Sequence, residues 1–349
     1  MSKILHLFQH WTTHLSLLTF SMTAVACGQV AVDDTEVDEQ AAAVSLTAGP
    51  VTTPPLTLAT IQNVVVVMME NQNASDVYGK AAAPYVNQLM RDYAYATQFV
   101  DVLPSSVPSE PHYVWLEAGT NSFPDRTFLS DSDPSSSNST GSTAHLVNLL
   151  EKAGISWVTY QEGISASTGA CAIASSRSTQ YAAKHNPFVF FRDVSGSPPG
   201  KNSARCVAHT KPLSQLADDL TAGRLPRYTL ITPNLCHDMH GASGCPAGSA
   251  VTQGDTWLKG VLPDLIAFVR ANKGVLFLTW DEPEGTPTQP FLVIGPHLKS
   301  AGYASKLRYD LSSVLKSIQR IFAVTPLLGH AADPSTNDLS DFFAPGTFP

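Results

Sequence analysis

Positive charge is scarce in this sequence: 21 Lys and Arg face 29 Asp and Glu across 349 residues, a net charge of −8. No basic cluster stands out, so the electrostatic footprint of a nucleic-acid-binding surface is missing. A small anionic substrate would therefore need a local positive centre. Long apolar runs are also few, and past residue 27 none reaches the length that spans a bilayer. No internal repeat occurs, which sets repeat architectures aside. No C-x-x-C spacing is present, which makes the cysteines poor candidates for a metal site. Only 14% of the residues are charged, and the 43% that are hydrophobic suffice to bury a large core in one big domain or two small ones.

What is present begins with an export signal: Lys3, several histidines, then the apolar "LSLLTFSMTAVAC" with Ala24 and Ala26 before Cys27. Two endings fit it. One is ordinary cleavage nearby; the other is a bacterial lipoprotein box that makes Cys27 a lipid-anchored N-terminus. Residues 1–27 are read as this signal. Residues 28–58, acidic and rich in Ala, Thr and Pro with no apolar period, are read as a flexible linker. Residues 59–349 form the folded domain of a secreted or cell-envelope protein. Setting Cys27 aside, an even number of cysteines in an exported chain suggests two disulfides, and sequence proximity favours Cys236 with Cys245 and Cys171 with Cys206.

Within the domain, apolar strand-like runs alternate with amphipathic helical stretches. "VVVVMM", "ISWVTYQE", "RYTLITPN", "VLFLTWDE" and "PFLVIGP" predict strands. Helices are predicted at "APYVNQLMRDYA", "PHYVWLEAGT", "TAHLVNLLEKAG", "PLSQLADDLTAG", "DTWLKGVLPDLIAFVRANKG" and "LSSVLKSIQRIFA". The alternation predicts an α/β fold, a three-layer α/β/α arrangement around a central, mostly parallel sheet. The Ser-rich "SDSDPSSSNSTGS", residues 130–142, is expected to be an exposed loop.

Three of these strands end on chemistry. The first runs without a turn onto Glu70 and Asn71, "RYTLITPN" leads into "LCHDMH", and "VLFLTWDE" ends on Asp281 and Glu282. A carboxylate at the end of a buried strand is costly unless something positive meets it. In a parallel sheet these ends share one edge, where ligands bind. Glu70, Asn71, Asp281 and Glu282 form an oxygen-rich set suited to a divalent metal ion. Any one pair alone reads as a solvated turn; together they point to a cation. Ser109 precedes a helix start with Glu110 and Pro111 in its first turn, as an N-cap serine does. There the helix N-terminus favours an anion, so Ser109 is either a cap or a nucleophile, with Ser105 and Ser106 as near alternatives. His237, Asp238 and His240 supply a general acid and a charge stabiliser for a leaving oxygen, or a further metal ligand.

These segments resemble the acid phosphatase and phospholipase C type phosphoesterase family of the alkaline phosphatase superfamily. "NVVVVMMENQNASDVYG" is similar to its opening strand with an M-E-N motif, and "PSEPHYVWLEAGT" to its P-S-x-P-N-Y nucleophile segment. "GISWVTYQEG", "KHNPFVFF", "LPRYTLITPNLCHDMHG", "GDTWLKGVLPDLI" and "LFLTWDEPEG" follow in the family's order, from about residue 60 to residue 325. The resemblance implies an alkaline phosphatase-like sheet, a metal held by Glu70, Asn71, Asp281 and Glu282, and Ser109 as nucleophile on a small phosphorylated substrate. The implied reaction is phosphomonoester hydrolysis through a phosphoserine. A diester or phospholipase C substrate is the alternative, and an inactive binding protein on the same scaffold the second. Two positions depart from the pattern. His112 stands where the family has Asn, in place to contact phosphoryl oxygens, and Leu311 stands where a histidine is common, so a second metal site lacks that ligand.

Overall fold

The computed structural model describes residues 61–165 and 169–349, so the readings of the signal segment, Cys27 and the linker lie outside the described residues. The strands are β1 (Asn63–Met69), β2 (Ala94–Ala96), β3 (Ser122–Phe123), β4 (Arg126–Thr127), β5 (Trp157–Gln161), β6 (Thr210–Pro212), β7 (Tyr228–Thr232), β8 (Gly274–Trp280), β9 (Phe291–Ile294) and β10 (Tyr303–Ser305). Eight of them form one sheet in the order β10-β2-β9-β8-β1-β7-β5-β6, and β3 with β4 makes a small separate ribbon. In the large sheet β9 is antiparallel to both its neighbours and every other pairing is parallel.

β1 explains why the fold takes this form. Its side chains alternate across the sheet, so a strand apolar at every position needs cover on both faces. Val64, Val66 and Met68 pack into one core with residues of the helices Ser109–Ala118, Leu146–Lys152 and Leu311–Ile321. Val65, Val67 and Met69 pack into the other, with residues of the helices Pro84–Asp92, Leu216–Thr221 and Ala250–Ala271. All six side chains are fully buried, each contributing on the order of 1.5–3 kcal/mol. β1 lies between β8 and β7 in parallel register, so Glu70, Asp281 and the loop after Thr232 emerge together at the carboxyl edge.

Two expectations are corrected here. Residues 130–142 are not an exposed loop throughout: Asn138, Ser139 and Thr140 are buried, because Asn138 reaches inward to Glu110. Ser109 does not cap its helix. Pro108, in extended conformation, holds the N-cap position and Ser109 is the first helical residue, which frees its hydroxyl to point elsewhere. The short strand β2 and the edge strands β6 and β10, three residues each, were not predicted.

Both expected disulfides are present, Cys171–Cys206 and Cys236–Cys245. The first closes the longer loop, 35 residues against 9. Replacing Cys171 and Cys206 together by Ala should cost about 2–5 kcal/mol, more than the other pair. Denaturant titration of the two double variants checks this.

Away from the sheet edge, His145 sits fully buried between two carboxylates. Its Nδ1 lies 2.8 Å from Glu117 Oε1 and its Nε2 3.1 Å from Asp193 Oδ2, with Phe191 stacked on the ring at 4.1 Å and Arg205 pairing Asp193 from outside. Burial opposes a charged ring, but hydrogen bonds to Asp193 and Glu117 raise the His145 pKa above its usual 6.5. Burial pushes Glu117 up despite the imidazole. For Asp193 burial is outweighed by His145, Asn148 and Arg205, which hold it down at about 2. The raised His145 contributes stability that is complete below pH 6.5 and lost as pH rises through its folded value. Asp193 contributes stability present above 3.8 and lost as pH falls towards about 2. Melting temperature should therefore decline above pH 6.5, and His145→Gln should flatten that decline; an unchanged slope would count against it.

Candidate active site

The turn that leaves β1 is bent sharply. Asn71 has φ 35°, a left-handed conformation that Asn tolerates better than most residues, and its N–H donates to Asp281 Oδ1 at 2.8 Å. Across the edge, Met239 at φ 80° turns the loop after β7 so that Asp238 faces inward. Gly254 permits this approach: a Cβ there would come within 2.3 Å of Met239 Cγ. The Glu70 N–H then donates to the Asp238 carbonyl at 2.8 Å, tying the ends of β1 and β7 together.

Ser109 enters from the start of its helix. Its Oγ lies 3.0 Å from Glu70 Oε2 and 3.3 Å from both Glu282 Oε1 and Asn71 Oδ1, and the residue is 3% exposed. Asn71 can be oriented two ways. With its oxygen inward it joins the carboxylate oxygens and Ser109 in a shell of acceptors; rotated, its nitrogen donates to Glu70 Oε2 at 2.9 Å and to Asp281 Oδ2 at 3.0 Å.

Four carboxylates, Glu70, Asp238, Asp281 and Glu282, thus meet in the interior, each less than a tenth exposed. Burial and then the Asp281 and Asp238 charges push Glu70 well up. Burial is also the main cause for Asp281, for Asp238 at about 8 and for Glu282 at about 8. The nearest cationic groups are already paired. Lys184 binds Asp131, and His112 is held at about 9 against burial by Asp101, with Asp281 and Glu282 adding to the effect. Glu70 Oε1 and Asp238 Oδ2 are buried without a hydrogen-bond partner. Repelling, desolvated and partly orphaned oxygens of this kind fit a divalent cation. Asp101, His112 and Glu282 form a further compact group of metal-capable side chains.

The other expected residues are placed as follows. Asp238 joins the carboxylate group. His237 turns its Nδ1 to Glu162, 2.9 Å away, and that bond raises its pKa. His240 is exposed, and its N–H donates to Asp238 Oδ1. Among the described residues neither histidine bonds to Ser109. His112 is fully buried with both ring nitrogens engaged, Nδ1 on the Pro108 carbonyl at 3.0 Å and Nε2 on Asp101 at 2.9 Å. It braces the residue before Ser109 instead of presenting an open donor.

Several neighbours escaped sequence reasoning. Glu110, fully buried, accepts from Ser132 N and Asn138 Nδ2, and burial brings it to about 7. Its own N–H donates to Asp131 Oδ1, whose other oxygen meets Lys184. His185 lies against Glu70, Nε2 to Oε1 3.3 Å. Lys184 and His185 stand in "KHNPFVFF", whose match to the family order was the one available signal.

A model of the Phosphoesterase family matches residues 74–325. The chain belongs to that family. Hydrolysis of phosphoric ester bonds is its activity class. The phosphoesterase is 28% identical over 285 residues to a phosphatidylinositol-3-phosphatase of Mycobacterium tuberculosis, covering 81% of this chain and 84% of that protein. It is 29% identical to a probable acid phosphatase of Kluyveromyces lactis over 66% of this chain, and spans only 52% of that relative's length. Among solved structures, a phosphonate monoester hydrolase from Silicibacter pomeroyi superposes with a TM-score of 0.51 at 12% identity, covering 82% of this chain and 78% of that one. At that identity the likeness bears on the fold alone, an alkaline phosphatase-like α/β/α architecture.

Proposed function

We propose that this phosphoesterase is a secreted, metal-dependent phosphomonoesterase that works through a phosphoserine at Ser109. The observation that carries the reading is the position of Ser109 Oγ, 3.0 Å from Glu70 Oε2 at the first turn of a helix and among four buried carboxylates. Glu70, Asn71, Asp281 and Glu282 would hold a divalent cation. When bound, it supplies Lewis-acid stabilisation of negative charge on the serine and phosphoryl oxygens. The carboxylates accept the hydroxyl's hydrogen bond and fix its direction. His112 and Asp101 hold Pro108, and so the start of the helix. The Ser109 hydroxyl proton passes to Glu70 Oε2, 3.0 Å away, as Oγ forms a bond to phosphorus and the ester P–O bond breaks, and the leaving alcohol takes a proton, for which His237, His240 and Asp238 are candidates. Water then cleaves the phosphoserine, releasing phosphate and restoring the hydroxyl. Convergence of Glu70, Asn71, Ser109, Asp281 and Glu282 argues against an inactive scaffold. The name of the mycobacterial relative, a phosphatase, supports a monoester over a diester, and the two disulfides fit an oxidising compartment.

Hydrolysis of p-nitrophenyl phosphate and its bis-ester, with and without chelator, tests this. The monoester should be preferred and chelation should abolish turnover. Preference for the bis-ester would overturn the monoester reading, and full activity after exhaustive chelation the metal dependence.

A further inference from the structure

The oxygens assigned to the cation leave one buried group unexplained. His185, at the end of the short 3-10 turn Ala183–His185, is 1% exposed, and neither ring nitrogen makes a hydrogen bond. An unpaired buried polar atom costs about 1–3 kcal/mol, so a ring with two of them needs a reason. Its Nε2 stands 3.3 Å from Glu70 Oε1, which is itself unpartnered. The two approach closely yet are misaligned for a hydrogen bond. Tyr113 lies flat on the imidazole, centroids 4.9 Å apart and planes within 6°, packing against one face of the ring. A carboxylate oxygen and an imidazole nitrogen held side by side, each without a hydrogen-bond partner, is how two donors to one cation are arranged.

From this arrangement we infer that His185 is a nitrogen ligand of the divalent cation held by Glu70, making the site a mixed oxygen and nitrogen one. The inference rests on the cation reading above and sharpens it. An all-oxygen set suits Ca²⁺ or Mg²⁺, whereas an added imidazole shifts the preference to Zn²⁺, Mn²⁺ or another transition metal. Lys184, the preceding residue, is tied to Asp131.

The full-length protein loaded with Mn²⁺ provides the test, read by pulsed EPR for ¹⁴N coupling to the metal. Wild type should show the coupling. His185→Gln should lose it and bind Mn²⁺ at least about tenfold more weakly, and added imidazole should restore both, whereas His112→Gln and His240→Ala should retain it. Bound Mn²⁺ without nitrogen coupling in the wild type, or coupling that survives in His185→Gln, would overturn the assignment while leaving an oxygen-ligated cation intact. Failure of the wild type to bind any divalent cation would overturn the cation reading and the assignment with it. Should His185→Gln not fold, competition on the wild type decides: Zn²⁺ should outcompete Ca²⁺ by more than 100-fold, and comparable affinities would refute a nitrogen ligand.

Discussion

Ser109→Ala is expected to fold as the wild type does and to lose on the order of 10⁴-fold or more in turnover, the scale seen when covalent nucleophiles are removed. The two halves of that expectation come from different observations. Because Pro108 and not Ser109 occupies the N-cap position, no cap is lost. What disappears is a hydroxyl bonded to Glu70, Asn71 and Glu282, and stability should change by no more than about 1–3 kcal/mol. Under single-turnover conditions the wild type should release p-nitrophenol before inorganic phosphate, and the variant should show neither phase. Ser105→Ala and Ser106→Ala should leave the rate largely intact. Near wild-type turnover in Ser109→Ala would mean that water attacks phosphorus directly or that another serine does so.

Asp281→Asn should move activity and cation-free stability in opposite directions. Asp281 accepts the Asn71 N–H and raises the pKa of Glu70, Asp238 and Glu282. Neutralising it relieves repulsion within the buried carboxylate cluster while leaving an amide oxygen able to accept the Asn71 N–H. The cation-free variant should therefore melt at or above the temperature of the cation-free wild type. The same substitution weakens the donor set, so divalent-metal content and turnover should fall together. Thermal melts with and without added metal check both: the wild type should gain about 2.7 kcal/mol at a metal concentration 100 times its dissociation constant, and the variant little. Full metal content in Asp281→Asn would place the site elsewhere.

How far the sequence foretold this site follows the range of the interactions that build it. β1 and its terminal Glu70 and Asn71 were readable because a run of apolar residues ending on a carboxylate is a local pattern with a definite energetic cost. Asp281 and Glu282 were readable by the same logic, and parallel strands then placed the three ends on one edge. Ser109 was located through the turn composition around it. Its capping role was misjudged because Ser and Pro both suit a helix start, and only backbone geometry separates them. His185 was not legible from local pattern: its place beside Glu70 depends on the 3-10 turn Ala183–His185, and only the match of "KHNPFVFF" to the family order pointed towards it. Asn138 was hidden by its own surroundings, since a serine-rich stretch has loop composition whether or not one of its residues turns inward.

That inward turn changes what the stretch is for. Asn138 and Ser132 grip the Glu110 carboxylate, and Asp131 holds the Glu110 N–H, so residues 131–138 fasten the backbone one residue from Ser109. Surface loops of such composition are the usual place to graft a tag or accept an insertion without penalty. Here a graft between residues 131 and 138 would shift the first turn of the serine helix, and its damage would register as lost turnover long before it registered as lost fold.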